Sequence, residues 1–191
     1  MTTTADKDKV ILGIDPGTNV LGYGVLIVNG NKVKMEAMGV IDLSHCKDVY
    51  LKLGRIATQL EHLIDSFHPD EMAIESPFYG KNIQSMLKLG RAQGVAIATA
   101  INRDIVIHEY APTKVKLALT GNGNASKEQL QSMLEKIFHL NHEDMLKYLD
   151  ATDALAIAYC HYMQRATIIT AKTYNSWKDF IQKNSTRIRK Q

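Results

Sequence analysis

Hydrophobic and polar positions change period several times along the chain, and each change marks an element. Val10-Ile-Leu-Gly-Ile14 is an apolar run of strand length that ends in Asp15, and Pro16-Gly17 then forces a turn. Leu21-Gly-Tyr-Gly-Val-Leu-Ile-Val28 gives a second strand able to pair antiparallel with the first. Asn29-Gly30-Asn31 is hairpin chemistry, and the third strand, Lys32 to Leu43, alternates Val33, Met35 and Ala37 with Lys32, Lys34 and Glu36. The period then becomes helical. Leu53, Ile56, Leu60, Leu63, Ile64 and Phe67 predict a helix from about Asp48 to Phe67, stopped by His68-Pro69-Asp70. Glu71-Met-Ala-Ile-Glu75 reads as a short buried strand that, like the first, ends in a carboxylate shortly before a proline.

From Asn82 to Asn102 a helix is predicted with apolar residues on more than one face. Met86, Leu89, Val95 and Ala96 cannot all meet the same sheet as Leu87, Ala98 and Ile101, so this helix needs a second partner. Asp104 to Tyr110 is a fifth strand, and Pro112 opens a short helix to Thr120. After the loop Gly121-Asn-Gly-Asn124, Ser126-Lys-Glu-Gln129 is a capping box for a helix bearing Leu130, Met133, Leu134 and Ile137. The last regular element begins near Asp150 and continues through an alanine-rich apolar run to Cys160. Three meandering strands followed by strand, helix, strand and more helices predict an α/β domain with a mixed five-stranded sheet flanked by helices.

Composition narrows this picture. With 191 residues, 45% hydrophobic and 23% charged, the chain is long enough for one domain with a sizeable core. The net charge of +3 is unevenly spread: residues 166–191 hold six cations against Asp179 alone, which leaves the body slightly acidic. The expected organisation is a flexible polar extension over 1–9, a domain over 10–165 and a basic tail over 166–191, the tail suited to a polyanion. Cys46 and Cys160 lack metal or redox spacing and read as free thiols of a reducing compartment. The polar N-terminus has no signal-peptide core, and the longest apolar run is too short to span a bilayer, so a soluble, cytoplasmic protein is expected.

The candidate chemistry lies in four carboxylates. Asp15 and Glu75 close buried strands, and Asp150 and Asp153, three apart, share one face of a first helical turn. Each has an ordinary alternative, a turn cap for Asp15 and a favourable helix dipole for the pair. Together they offer oxygen ligands only, which select Mg²⁺ or Mn²⁺ over Zn²⁺. Two such ions suit in-line displacement at phosphorus. Periodicity puts these groups at element ends and says nothing of the distances between them. The seven histidines show no metal-ligand spacing and read as surface or core residues.

An ordered set of segments resembles the RuvC family of Holliday-junction resolvases, the crossover junction endodeoxyribonucleases, which have an RNase H-like fold. The segments are Ile11-Leu-Gly-Ile-Asp-Pro-Gly17 with Gly22-Tyr-Gly-Val25, Ala73-Ile-Glu75, and Leu87-Lys-Leu-Gly-Arg-Ala-Gln-Gly-Val-Ala-Ile97. Glu109-Tyr-Ala111 with Val115-Lys116, and Asp150-Ala-Thr-Asp-Ala-Leu-Ala-Ile-Ala158, complete it. The resemblance implies that Asp15, Glu75, Asp150 and Asp153 are the catalytic, metal-binding residues, with two Mg²⁺ ions per site and Mn²⁺ as a substitute. Some family members carry His in place of Asp150. The aromatic contact with an opened junction falls on Phe78, with Tyr79 as the alternative, and the DNA-facing lysines on Lys116 and Lys127, with Lys81 and Lys114 nearby. The implied activity is symmetric nicking of four-way DNA junctions in recombination and repair, leaving 5′-phosphate and 3′-hydroxyl ends. The implied partners are a second copy of the chain, for which the second apolar face of the helix 82–102 is the expected surface, and the RuvA–RuvB branch-migration complex. Two other readings stand beside it. One is a junction-binding protein that does not cut. The other is a fragment of an actin-like ATPase, suggested by Asp15-Pro-Gly-Thr18, although that fold needs a second half to close over its nucleotide.

Overall fold

The computed structural model describes residues 8–76, 82–140 and 149–171, with side chains through Arg165. Phe78, Tyr79 and Lys81 lie outside the described residues, as do residues 172–191 of the expected tail. The three-strand meander forms as β1 (Lys9–Asp15), β2 (Val20–Asn29) and β3 (Lys32–Asp42). Gly30, with φ of 55°, supplies the left-handed residue of the β2–β3 turn. Helix α1 (Val49–Phe67) follows, then β4 (Glu71–Glu75), α2 (Ile83–Ile101), β5 (Val106–Tyr110), α3 (Pro112–Thr120), α4 (Lys127–Phe138) and α5 (Leu149–Ala171). β5 begins later than its apolar pattern predicts. Asp104 takes a left-handed φ of 57°, and the Ile105 N–H donates to the Ala100 carbonyl, so both residues belong to the turn out of α2.

The helix starts follow local chemistry. Asp48 caps α1 by accepting from the Tyr50 and Leu51 N–H groups, Asn82 caps α2 through Ser85, and Ser126 and Gln129 cap each other's backbone at α4. The sheet order is β3-β2-β1-β4-β5, mixed as expected. β1 pairs antiparallel with β2 and parallel with β4, and β4 pairs parallel with β5. On one face Leu12, Ile14, Met72 and Ile74 pack on α1 and α2. On the other, Ile11, Ala73 and Tyr110 meet α3, α4 and α5. Among the described residues no helix is long and apolar enough to cross a membrane.

Helix α5 lies directly on β1 and β2, and glycines make the approach possible. A Cβ on Gly22 would stand 1.9 Å from the Asp150 carbonyl oxygen, and one on Gly24 would stand 2.8 Å from Leu155 Cα. Ala151, Ala154 and Ala158 are fully buried on the facing side of the helix. Backbone thus meets backbone, and any side chain at Gly22 would lift the start of α5 off the sheet.

Helix α2 shows the two apolar faces that its pattern predicts. Ala92, Ala96 and Ala100 are buried against the sheet side, so Ala96 does not belong with the half-buried Met86, Leu89 and Val95. Facing outward are Ile83, Leu87 and Ile101, exposed by 71%, 54% and 56%. Gly90, Gly94 and Ala98, also exposed, fill the helical steps between them, and open space surrounds both glycines. The result is one continuous apolar stripe.

Candidate active site

Two strands and one helix bring the four carboxylates to a single edge of the sheet. The parallel register sets Ile14 opposite Ile74, so Asp15 and Glu75, the last residues of β1 and β4, are neighbours across the strand pair. Ile14 and Ile74 point into the α1–α2 side, and alternation turns the next residue of each strand toward α5. The first turn of α5 then supplies Asp150 and Asp153, placed there by the glycine seat. Two cations oppose the four anions. Lys127, at the start of α4, donates from Nζ to Asp153 Oδ2 at 2.7 Å, and Lys116 comes from α3. Asp15, Glu75, Asp153, Lys116 and Lys127 line a cleft of about 350 Å³ whose apolar wall includes Val115, Leu130 and Ile157. Asp150 is half-buried, is not part of the cleft wall, and acts on Asp15 through its charge.

The electrostatics record an unbalanced cluster. Burial, and then the charges of Glu75, Asp153 and Asp150, push the Asp15 carboxyl up to about 8, with Lys127 opposing. Glu75 is raised by burial and then by Asp153, against Lys127 and Lys116. Lys127 is held above its ordinary value by its hydrogen bond to Asp153 and then by the charges of Asp153, Asp15 and Asp150, against its own burial. Like charges so close, partly screened from water, call for additional positive charge. No sulfur or imidazole lines the cleft among the described residues, so the donor set fits a hard divalent cation. Lys114 is placed differently: it is exposed, its Nζ 5.2 Å from the Tyr110 ring centroid, and it is not part of the cleft wall.

A second titratable cluster, on the same sheet face but toward the opposite edge, has no counterpart in the sequence reading. His161 of α5 is only 2% exposed, and its Nε2 lies 2.5 Å from Glu71 Oε2. Its Nδ1 lies 2.7 Å from the Tyr110 hydroxyl, and the His108 ring stacks on it with centroids 4.2 Å apart. Arg165 Nε and Lys9 Nζ also reach Glu71, at 3.1 and 3.4 Å. The hydrogen bond from His161, followed by the charges of Arg165, His161 and Lys9, holds Glu71 down to about 2 despite its burial. Glu71, His108 and His161 have ligand atoms within 4.8 Å of one another, the reach of a metal site. Arg165 and Lys9 already neutralise the carboxylate, however, so the group works as a clamp between α5 and the strands. The signals for it were a lone histidine in the alanine-rich face of α5 and a glutamate opening a buried strand.

Comparisons with known proteins agree with this architecture. A family model described as Crossover junction endodeoxyribonuclease RuvC matches residues 11–161. The protein of that name from Bacteroides fragilis is 57% identical over 183 residues, covering 96% of this chain and 97% of its own. That from Porphyromonas gingivalis is 52% identical over 186 residues, covering 96% and 98%. Among solved structures, T. thermophilus RuvC in complex with Holliday junction substrate superposes with a TM-score of 0.76 at 31% identity, covering 82% of this chain and 94% of that one.

Proposed function

The chain belongs to the RuvC family of crossover junction endodeoxyribonucleases, and from that premise we propose that it resolves Holliday junctions by paired, metal-dependent cuts at the acidic cleft. It is a DNA-hydrolysing nuclease of recombination and repair. The observation that carries the catalytic assignment is the meeting of Asp15, Glu75 and Asp153 with Lys116 and Lys127 in one cleft, where burial and neighbouring carboxylates raise Asp15. A protein surface meant only to bind DNA gains nothing from such a cluster, because bare carboxylates repel phosphate. Asp15, Glu75, Asp150 and Asp153 would hold Mg²⁺, two ions per site, with Mn²⁺ able to replace it. When bound, the pair supplies an activated water and neutralises charge at the leaving oxygen.

The chain's own groups do the rest. β1 and β4 hold Asp15 and Glu75 at the ends of two paired strands. Lys127, tethered to Asp153, and Lys116 offer positive charge to the phosphate oxygens of the strand being cut. Val115, Leu130 and Ile157 keep one wall dry, which strengthens every charge interaction in the cleft. Hydrolysis forms a bond from water oxygen to phosphorus and breaks the bond to the 3′ oxygen, leaving 5′-phosphate and 3′-hydroxyl ends. Phe78 or Tyr79 is assigned the contact with the opened crossover, and Lys81 and Lys114 contacts with flanking DNA, on the family relation alone.

A four-way junction presents two equivalent strands, and a two-fold dimer matches that symmetry with one site for each. The stripe Ile83, Leu87, Gly90, Gly94, Ala98 and Ile101 is the surface that supports it. Leu87→Asp is expected to turn a dimer into a monomer in sedimentation at micromolar protein, and to unpair the two nicks. A Leu87→Asp protein that remains dimeric rules out this stripe. RuvA–RuvB is the further partner that the family relation suggests. The decisive experiment maps cleavage of a mobile synthetic junction on all four strands, with Mg²⁺ and with EDTA. Paired nicks at symmetric positions are expected, and binding without cutting at every metal concentration would overturn the nuclease assignment.

A further inference from the structure

Behind the catalytic turn, on the opposite face of the sheet, lies a cavity of about 240 Å³. Its walls carry three lysines from separate parts of the chain: Lys47 before α1, Lys52 in the first turn of α1, and Lys88 in α2. Gly17 and Thr18, the residues that follow Asp15-Pro16, close one side. The floor is Leu43, Ile56 and Ala92, all essentially buried. Lys52 is half-buried and spends two of its three N–H donors on neutral acceptors, the Thr18 carbonyl at 2.9 Å and Asn19 Oδ1 at 2.7 Å. Among the described residues none of the three lysines forms an ion pair with a carboxylate. The nearest acid in sequence, Asp48, has its side chain committed to the α1 cap. Three cations line an apolar-floored cavity that has no acidic residue in its wall, and they concentrate positive potential that seeks an anion.

We propose that this cavity is a second phosphate site, which takes a backbone phosphate of the junction close to the one being cut. The proposal rests on the nuclease reading of the acidic cleft. Thr18, in the cavity wall, follows Asp15 by three residues, a span of at most about 11 Å, so the cavity and the catalytic turn share one short segment. Lys52 has a further part, since its bonds to Thr18 and Asn19 brace the turn that holds Asp15. A phosphate drawn in by Lys47 and Lys88 would meet the remaining Lys52 donor, so that docking of the DNA backbone and ordering of the catalytic turn share one residue.

Lys47 and Lys88 are exposed, and replacing both by Gln leaves the core untouched. Junction binding of the full chain is measured by fluorescence anisotropy over a series of KCl concentrations, with EDTA to prevent cutting. K47Q/K88Q is expected to bind about tenfold more weakly and to lose about 0.7–0.9 from the log–log salt slope for each phosphate contact removed. K32Q/K34Q, an equal charge change at two exposed positions of β3, serves as the control and is expected to keep the parental slope. If the wild type binds and nicks the junction while K47Q/K88Q keeps the parental affinity and slope, the cavity is not a DNA site. If millimolar inorganic phosphate raises the melting temperature of the wild type but not of K47Q/K88Q, and the salt slope is unchanged, the cavity serves a free anion and the proposal falls. A wild type that neither binds nor nicks the junction removes the reading of the acidic cleft, and this proposal with it.

Discussion

Glu71 and Glu75 open and close the same strand, point toward the same helix, and stand in opposite electrostatic settings. Glu71 is surrounded by His161, Arg165 and Lys9 and is held down to about 2. Glu75 shares its edge of the sheet with Asp15 and Asp153, and its carboxyl is raised. Burial weighs on both, so burial does not separate them. What differs is the company. At one edge the protein supplies its own counter-charges, and the carboxylate joins helix to sheet. At the other the chain gathers anions, provides two lysines, and leaves the balance to something from outside. A buried acid whose charge is matched within the chain is architecture, whereas one whose charge is left unmatched points to a ligand.

The strongest way to break this comparison is to neutralise the unmatched edge. Asp15→Asn and Glu75→Gln keep size and remove a ligand charge, so nicking of a junction in Mg²⁺ should fall by several orders of magnitude. Thermal melting of the metal-free variants should show no loss and a gain for Asp15→Asn, because repulsion has been relieved. Near-normal cutting by both variants would move the chemistry elsewhere. At the matched edge the expectation reverses. His161→Ala leaves Glu71 short of its main partner and should cost roughly 2–4 kcal/mol in urea unfolding. An unchanged midpoint would show that Arg165 and Lys9 suffice.

The two edges should also oppose each other in pH. The folded pKa of Asp15, about 8, lies above its ordinary value, so its contribution favours the metal-free fold at low pH and is lost as pH rises from about 4 to about 8. Glu71 has the opposite sign: its contribution is present above its ordinary value of 4.5 and is lost as pH falls toward about 2. Melting temperatures of the wild type and of Asp15→Asn across this range would separate the two. The decline toward pH 8 should become shallower in the variant, where the raised Glu75 still contributes, and should disappear in the wild type with saturating Mg²⁺. The smallest expected effect belongs to Lys127→Gln. Lys127 lowers both Asp15 and Glu75, so its loss should move the acid limb of the pH–rate profile to higher pH, and an unmoved limb would disconnect it from the carboxylates.

The parts of this arrangement that were legible in the sequence are those set by local chemistry. Pro16-Gly17 ends β1 at Asp15, Asp48 and Ser126 cap their helices, and alternation along β3 marks its wet face, all within a few residues of chain. Asp15, Glu75 and Asp153 could be picked out because each ends or opens an apolar run. Their meeting could not be read in this way, since it depends on β1 pairing with β4 and on α5 settling on Gly22 and Gly24, whose missing side chains carry no periodic signal. The family resemblance filled that gap. It did not point to the Glu71 clamp, whose central hydrogen bonds join His161 to residues 90 and 51 positions away. Nor did it point to the lysine cavity, because Lys47, Lys52 and Lys88 read singly as solvated side chains.

Helix α5 connects the two edges, and that makes its length a specification. Asp153 stands in the cleft and His161 in the clamp, eight residues apart, or about 12 Å of helix. The helix is a gauge block with a fitted end at each edge of the sheet. One residue added between them would turn one end about 100° relative to the other. Either His161 would leave Glu71, or the aspartates would swing away from Asp15. The segment from Ala154 to Cys160 should therefore accept exchanges among small apolar residues far more readily than any change in its count.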